Sequence, residues 1–211
     1  MAFDYKKEYR EFYLPKQKPE IINVPVMNFI AVSGKGDPNQ EGGAYQEAIG
    51  MLYTIAFTIK MSKKGSHPLE GYFDYVVPPL EGFWHQEGIQ GVDYSRKEDF
   101  EWISVIRLPE FAGKEALEWA KEEARLKKQQ NYSKVEFLTI EEGCCVQCMH
   151  IGSYDDEPAT VEMMDRFIEE QGYENDFSDE RRHHEIYLSD ARRVARDKLK
   201  TVIRHPIRKK G

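Results

Sequence analysis

Cys144-Cys145-Val146-Gln147-Cys148-Met149-His150-Ile151 decides the reading of the fold, because it opens a second round of one element order. The run is strand-like, set between Glu141-Glu142-Gly143 and Gly152-Ser153. Asp156, followed by Glu157-Pro158, then marks a helix start. Val161, Met164, Phe167 and Ile168 give that helix an inward stripe, and Gly172 ends it. His183 to Leu188 (HHEIYL) reads as a strand, and Ser189 or Asp190 as the cap of a short basic helix. Thr201 to Ile207 (TVIRHPI) reads as a last strand, confined to an edge or end because Pro206 has no N–H for a ladder.

Working outward, the first half carries the same order. Ile22 to Val32 (INVPVMNFIAV) reads as a strand ending at Ser33-Gly34-Lys35-Gly36. Ala44 to Lys64 repeats apolar residues at helical spacing and is apolar nearly all round, which predicts deep burial. Tyr72 to Val77 (YFDYVV) reads as a strand stopped by Pro78-Pro79, Leu80 to Val92 as a loop, and Phe100 to Leu108 as an alternating strand. The charged helix 114–128 joins and bridges the two halves. Residues 1–20, with Pro15 and Pro19, read as an extended arm ahead of a domain at 21–211. The expected architecture is α+β: modules at about 26–108 and 144–207 share one sheet, with both long helices on one face and a ligand groove on the other.

Composition bounds the rest. Apolar residues make up 40% of 211, enough for a real core. No run approaches the roughly 18–20 apolar residues of a membrane span, and the first ten residues lack a signal-peptide core. Three cysteines cannot all pair within the chain, which excludes a disulfide framework and fits a cytoplasmic protein. Net charge is −7, yet residues 181–211 hold 11 Lys/Arg against three acids. Overall acidity argues against direct nucleic-acid binding, and the basic end reads first as a counterweight to an acidic body. Nucleotide-loop, zinc-protease and α/β-hydrolase motifs are absent from the sequence.

Glu185 is the most informative residue. On an alternating strand it shares a face with His183 and Tyr187, while His184, Ile186 and Leu188 take the other. Assigning Ile186 and Leu188 to the helix-covered side turns Glu185 into the groove, where a buried carboxylate needs a partner or a ligand. The alternatives are an exposed strand glutamate and a salt bridge to a C-terminal arginine. Asp74 offers a weaker echo in the first half. Trp84 and Phe83, in the apparent loop, and Trp102, Tyr53, Phe57 and Tyr154 are candidate walls for a flat or cationic ligand, against the competing role of core packing. His150 is a candidate hydrogen-bonding group or a structural histidine. Cys145 and Cys148 point to opposite strand faces and Cys144 and Cys148 lie roughly 13 Å apart, so no metal or redox site is expected.

The chain resembles the GyrI-like small-molecule-binding proteins over about 25–207. The resemblance rests on Leu52-Tyr53 with Lys60, Val76-Val77-Pro78-Pro79-Leu80-Glu81-Gly82-Phe83-Trp84, Glu142-Gly143-Cys144-Cys145-Val146-Gln147 running to Pro158, and His183-His184-Glu185-Ile186-Tyr187-Leu188-Ser189-Asp190 with Lys198-Leu199-Lys200-Thr201. It implies a tandem pair of strand–helix–strand–strand (SHS2) modules. It also implies a groove for hydrophobic, cationic or polyaromatic small molecules, with Glu185 as its central acid. The stand-alone branch is similar to cyclopropanoid hydrolases, which open the strained ring of DNA alkylators and need no cofactor. That resemblance makes Glu185 the base, Tyr187 the donor to the developing phenolate and His150 its substitute. Drug sequestration, effector sensing for a transcription regulator, and a protein partner such as gyrase held through the basic end are the other expectations.

Overall fold

The computed structural model describes residues 2–64 and 68–211; Met1, in the expected 1–20 segment, lies outside them. Pro25 splits the first expected strand in two. Before it, β1 (Glu20–Val24) pairs with β6 (Gly143–Ile151); after it, β2 (Met27–Lys35) pairs with β4 (Glu101–Arg107) and β5 (Glu136–Ile140). The two halves of that run therefore end up far apart in one antiparallel sheet. With β3 (Leu80–His85), β7 (Tyr173–Asn175), β8 (His183–Tyr187) and β9 (Lys200–Lys209), its order is β1-β6-β9-β8-β3-β4-β2-β5, and β7 pairs with β9.

Strand–helix–strand–strand does occur twice. The first set is β2, α3 (Ala44–Met61), β3 and β4; the second is β6, α5 (Glu157–Glu170), β8 and β9. The sets meet where β3 pairs with β8, at the centre of the sheet. The first half keeps its order only because Leu80–His85, expected as a loop, is the strand; Tyr72–Val77 is irregular apart from one bridge between Tyr75 and Phe3. Glu81 and Gly82 hide the alternation, since Glu81 is buried and Gly82 carries no side chain. The echo expected at Asp74 disappears with that correction: Asp74 sits on the surface and pairs with Lys63 at 2.8 Å.

Three helices pack on one face. Ile30 and Val32 of β2, Leu80 and Trp84 of β3, and Trp102 and Ile106 of β4 meet Leu52, Ile55 and Ile59 of α3. The helix α4 (Lys114–Lys128) lays Ala116, Leu117 and Ala120 on that same cluster, so its apolar stripe belongs to the first half. At the other end α5 buries Met164 and Ile168 against Val146, Cys148, Ile203 and Ile207. The expected deep burial of α3 fails along one stripe, where Phe57 is 50% exposed and Tyr53 37%.

The opposite face is no open groove. The arm expected to be extended folds into α1 (Tyr5–Glu8) and α2 (Arg10–Tyr13). Tyr5 and Tyr13 are buried with Tyr75, Met149, Ile186 and Val202. Arg107 stacks its guanidinium 4.7 Å from both the Tyr5 and Tyr9 rings. The last strand is central rather than at an edge. Pro206 is tolerated there because its carbonyl accepts from Asp176 at the gap between β7 and β8, the side to which its missing N–H would have pointed.

Candidate functional site

Between α3 and α5 the floor of the helix face is β3, β8 and β9. Cross-strand partners share a face, so the register of Gly82 with Glu185 and of Trp84 with His183 puts Glu185 on the Trp84 side, under the helices. This reverses the expected facing: Ile186 belongs to the arm side, because the arm rather than a helix supplies its apolar cover. Glu185 is 6% exposed. Gly82 makes room beside it, since a Cβ there would lie 2.8 Å from Trp84 Nε1 and 2.9 Å from the Tyr187 hydroxyl.

A chain of ionisable groups runs through Glu185. His183 Nε2 lies 2.9 Å from its Oε1, and His183 Nδ1 lies 2.7 Å from His205 Nε2. On the other side stands Glu157, the first residue of α5, fully buried, accepting from the Tyr94 hydroxyl at 2.8 Å. Its second oxygen has no hydrogen-bond partner. Burial and then the charge of Glu185 push the Glu157 carboxyl well above its usual range, so it holds its proton more tightly than an ordinary carboxyl. Burial, and then His183, push His205 well below the usual histidine range. Two carboxyls with opposed roles, one a proton holder and one an acceptor, are the arrangement acid–base sites use.

The aromatic walls are partly those expected. Trp84 donates from Nε1 to Tyr187 at 3.0 Å, and the Tyr154 ring meets Tyr187 edge-on at 5.9 Å. Burial and then Glu185 raise the Tyr187 hydroxyl well above its ordinary value, and the same two causes push Tyr154 up to about 12. Tyr45 packs between Trp84 and Trp102, at 5.3 and 5.1 Å. Trp102 itself is buried over Gly34; it is core. Phe83 faces the arm side, stacked 3.9 Å over His184, so it is no wall of this site. Tyr53 and Phe57 stack on each other on the exposed stripe of α3. His150 uses both ring nitrogens locally, on Thr160 at 2.8 Å and the Ser153 carbonyl at 2.9 Å, so it braces the turn into α5 and has no nitrogen left to stand in for Tyr187.

The sequence reading missed Glu157, His183, His205, Tyr94 and Tyr45. His183 was legible on the Glu185 face; the others come from a helix start, a loop and a central strand that only packing brings together. The loop 86–99 supplies Tyr94 and is braced from within by the buried Gln86 side chain, which donates to the Asp93 and Arg96 carbonyls. Lys97 ties it to Asp155 at 2.9 Å. Beneath it a cavity of about 550 Å³ opens beside His183 and His205, and a smaller one of about 80 Å³ beside Trp84. Oxygen and nitrogen atoms of Glu157, His183 and Glu185 lie within 4.8 Å of one another, a set able to hold a small divalent cation. That set was not foreseen by a reading that weighed only the cysteines, of which Cys145 and Cys148 are buried and unpaired.

The basic C-terminal region is woven into the fold. Arg204 is buried, Arg181 pairs with Asp176, and Arg208 bonds Glu174 at 2.8 Å. No helix among the described residues is long and apolar enough to cross a membrane.

A two-module sheet with a buried acid between its helices defines a small-molecule-binding domain. Residues 17–208 match the model of the GyrI-like small molecule binding domain, and the chain belongs to the GyrI-like family. A crystal structure of a hydrolase from Listeria innocua is 48% identical, covers 98% of this chain and all of its own, and has a TM-score of 0.89. An uncharacterized conserved protein from Listeria innocua is 50% identical over 98% of this chain and all of its own, with a TM-score of 0.92. The C-terminal domain of EcmrR, 12% identical over 92% of this chain and 98% of its own with a TM-score of 0.55, shares the fold alone. A comparison with curated proteins finds no match.

Proposed function

We propose that this GyrI-like protein is a hydrolase that disarms cyclopropanoid DNA-alkylating compounds by adding water to the cyclopropane. The observation that carries the reading is the pair Glu185 and Glu157, two carboxyls buried side by side next to Trp84, Tyr187 and Tyr154, with Glu157 pushed up by burial and by its neighbour. The similarity to the Listeria hydrolase supports the reaction class. The resemblance read from the sequence supplies the substrate class.

In this reading Glu185 takes a proton from water as the oxygen bonds to the cyclopropane CH2. The strained C–C bond breaks, and its electron pair passes through the dienone to the carbonyl oxygen, giving a phenolate. Tyr187, two residues along on the same strand face, donates to that oxygen. The proton held by Glu185 balances the one the phenolate acquires on release, so the sum is substrate plus water. Glu157 stays protonated and keeps the pair at one negative charge, which spares Glu185 a like-charged neighbour. Tyr94 lies over His183, with ring centroids 6.4 Å apart, so substrate enters by movement of the 86–99 loop.

Incubation with a cyclopropanoid drug, followed by mass spectrometry, tests this. The expected product is the drug plus one water, formed by the wild type and slowed in Glu185→Gln. Unchanged drug recovered from a tight complex would refute hydrolysis and leave sequestration as the function.

A further inference from the structure

The 550 Å³ cavity holds none of the residues singled out from the sequence as ligand walls. Its volume falls in the range of small-molecule sites. It shares three residues with the Glu185 cluster: His183, which contacts Glu185, His205, which contacts His183, and Tyr94, which contacts Glu157. Any ligand reaching Glu185 under the loop therefore has this chamber as its neighbour.

The polar atoms left open there are of one kind. His183 donates from Nε2 to the Glu185 carboxylate, so in its neutral form its Nδ1 accepts from His205 Nε2–H. The other nitrogen of His205, Nδ1, then carries a bare lone pair. It has no partner although the residue is 1% exposed and lines the cavity. Asn175 donates from Nδ2 to Asp165 at 2.8 Å, and its Oδ1 is likewise unpartnered. Asp93, Glu162 and Asp165 line the same chamber, and no lysine or arginine is among its described lining residues. Tyr94 and Phe177 supply flat walls. The acidic lining disfavours anions, and the buried acceptors on His205 and Asn175 favour a ligand that brings donors.

We propose that this cavity is a second compartment of the ligand site, which takes a flat extension of the ligand carrying N–H donors, whether a neutral ring N–H or an ammonium. It deepens the hydrolase reading and adds a substrate requirement: beyond the electrophilic head, an aromatic arm with N–H groups reaches His205 and Asn175. A buried acceptor that is met gains a hydrogen bond, and one covered by a ring lacking a donor is left unsatisfied.

Three probes test it on the intact protein: tryptophol, its benzofuran analogue with ring oxygen in place of N–H, and tryptamine. Calorimetry should give a dissociation constant about tenfold lower for tryptophol than for the benzofuran, the difference one satisfied acceptor makes. Tryptamine should bind tighter still, and Glu162→Gln with Asp165→Asn should erase its advantage over tryptophol. Saturation with tryptophol should move the His205 ring-nitrogen resonances in wild type, a readout that needs no variant. His205→Phe should abolish the tryptophol preference; should that variant not fold, the wild-type His205 resonances decide. Equal binding of tryptophol and the benzofuran, or unmoved His205 signals at saturation, overturns the proposal. Drug hydrolysis is scored separately: turnover with a silent His205 sinks the compartment and spares the chemistry, and selective probe binding without turnover does the reverse.

Discussion

His183 and His184 are chain neighbours on one strand, and they lead to opposite kinds of cluster. On the arm side, His184 lies 2.9 Å from Glu142 and 3.0 Å from Glu81, and Arg204 adds a 2.8 Å bond to Glu142. Two cations face two carboxylates there. Arg204 also bonds Gln147 and the Phe12 carbonyl, so the cluster clamps the arm to the sheet. On the helix side, among the described residues, His183 and His205 face Glu185 and Glu157 with no arginine or lysine bonded to them, and atoms on Glu157, His205 and the neighbouring Asn175 have no partner. Both faces are largely buried, but they differ in what is left unpartnered: on the arm side a donor, Arg107 Nη1, and on the helix side acceptors on Glu157, His205 and Asn175. Unspent hydrogen-bonding capacity under a cavity marks the side that handles a ligand.

The largest effect expected from this contrast is on stability. Glu142→Gln leaves Arg204 and His184 buried without their shared carboxylate, and such losses cost about 3–5 kcal/mol. Urea unfolding at pH 7 measures it. A cost below about 1 kcal/mol would mean that the arm-side cluster is not the clamp. Turnover in that variant, where it still folds, should be nearly unchanged.

Glu185→Gln tests the other side. Turnover should drop about 10²-fold or more if general-base catalysis has its usual size, with little change in the unfolding midpoint. Full activity would remove Glu185 from the chemistry and erase the functional half of the contrast.

The contrast also shows what the sequence could say. Alternation on His183–Tyr187 was readable and placed Glu185 with Tyr187 correctly. Which face lay under the helices was not readable, because it depends on what covers Ile186. The cover is an arm whose tyrosines gave no long periodic signal over two four-residue helices. Gly82 and Glu81 made β3 look like a loop for a related reason: their partners, Glu185 and His184, are about a hundred residues away. Glu157 was legible only as part of a helix start, since nothing local says that a first-turn carboxyl will point into a buried pair.

The two faces should also respond oppositely to pH. Glu142 is held down to about 2: burial opposes this, and His184 and Arg204 outweigh it. Its stabilisation is complete above its ordinary value of 4.5 and is lost as pH falls through about 2. Glu157 is raised, so its contribution is complete below 4.5 and is lost as pH rises through its folded value. Glu157→Gln should therefore gain on wild type as pH rises above about 4.5, by no more than about 1.4 kcal/mol per pH unit. His184, raised against burial by Glu142 and Glu81, adds its own loss above its ordinary 6.5, so the comparison is the difference between variant and wild type at each pH. Parallel curves would mean that Glu157 holds no extra proton.

A matched pair of hydroxyl deletions gives the smallest and sharpest comparison. Tyr13 donates to Glu81 at 3.3 Å on the arm side, and Tyr94 to Glu157 at 2.8 Å on the helix side. Each hydroxyl supports one hydrogen bond to a buried carboxyl, worth about 1–1.5 kcal/mol net. Tyr13→Phe should lower stability by about that much and leave turnover alone, because Glu81 keeps His184. Tyr94→Phe removes the hydroxyl donor from Glu157 and leaves it beside Glu185 alone, and it loosens the loop that the proposed mechanism moves for substrate entry. Its stability cost should be similar, but its turnover and KM should both change. Were both variants to alter stability alone, the loop over His183 would be a structural cover, and entry would have to be sought between α3 and the 188–199 segment.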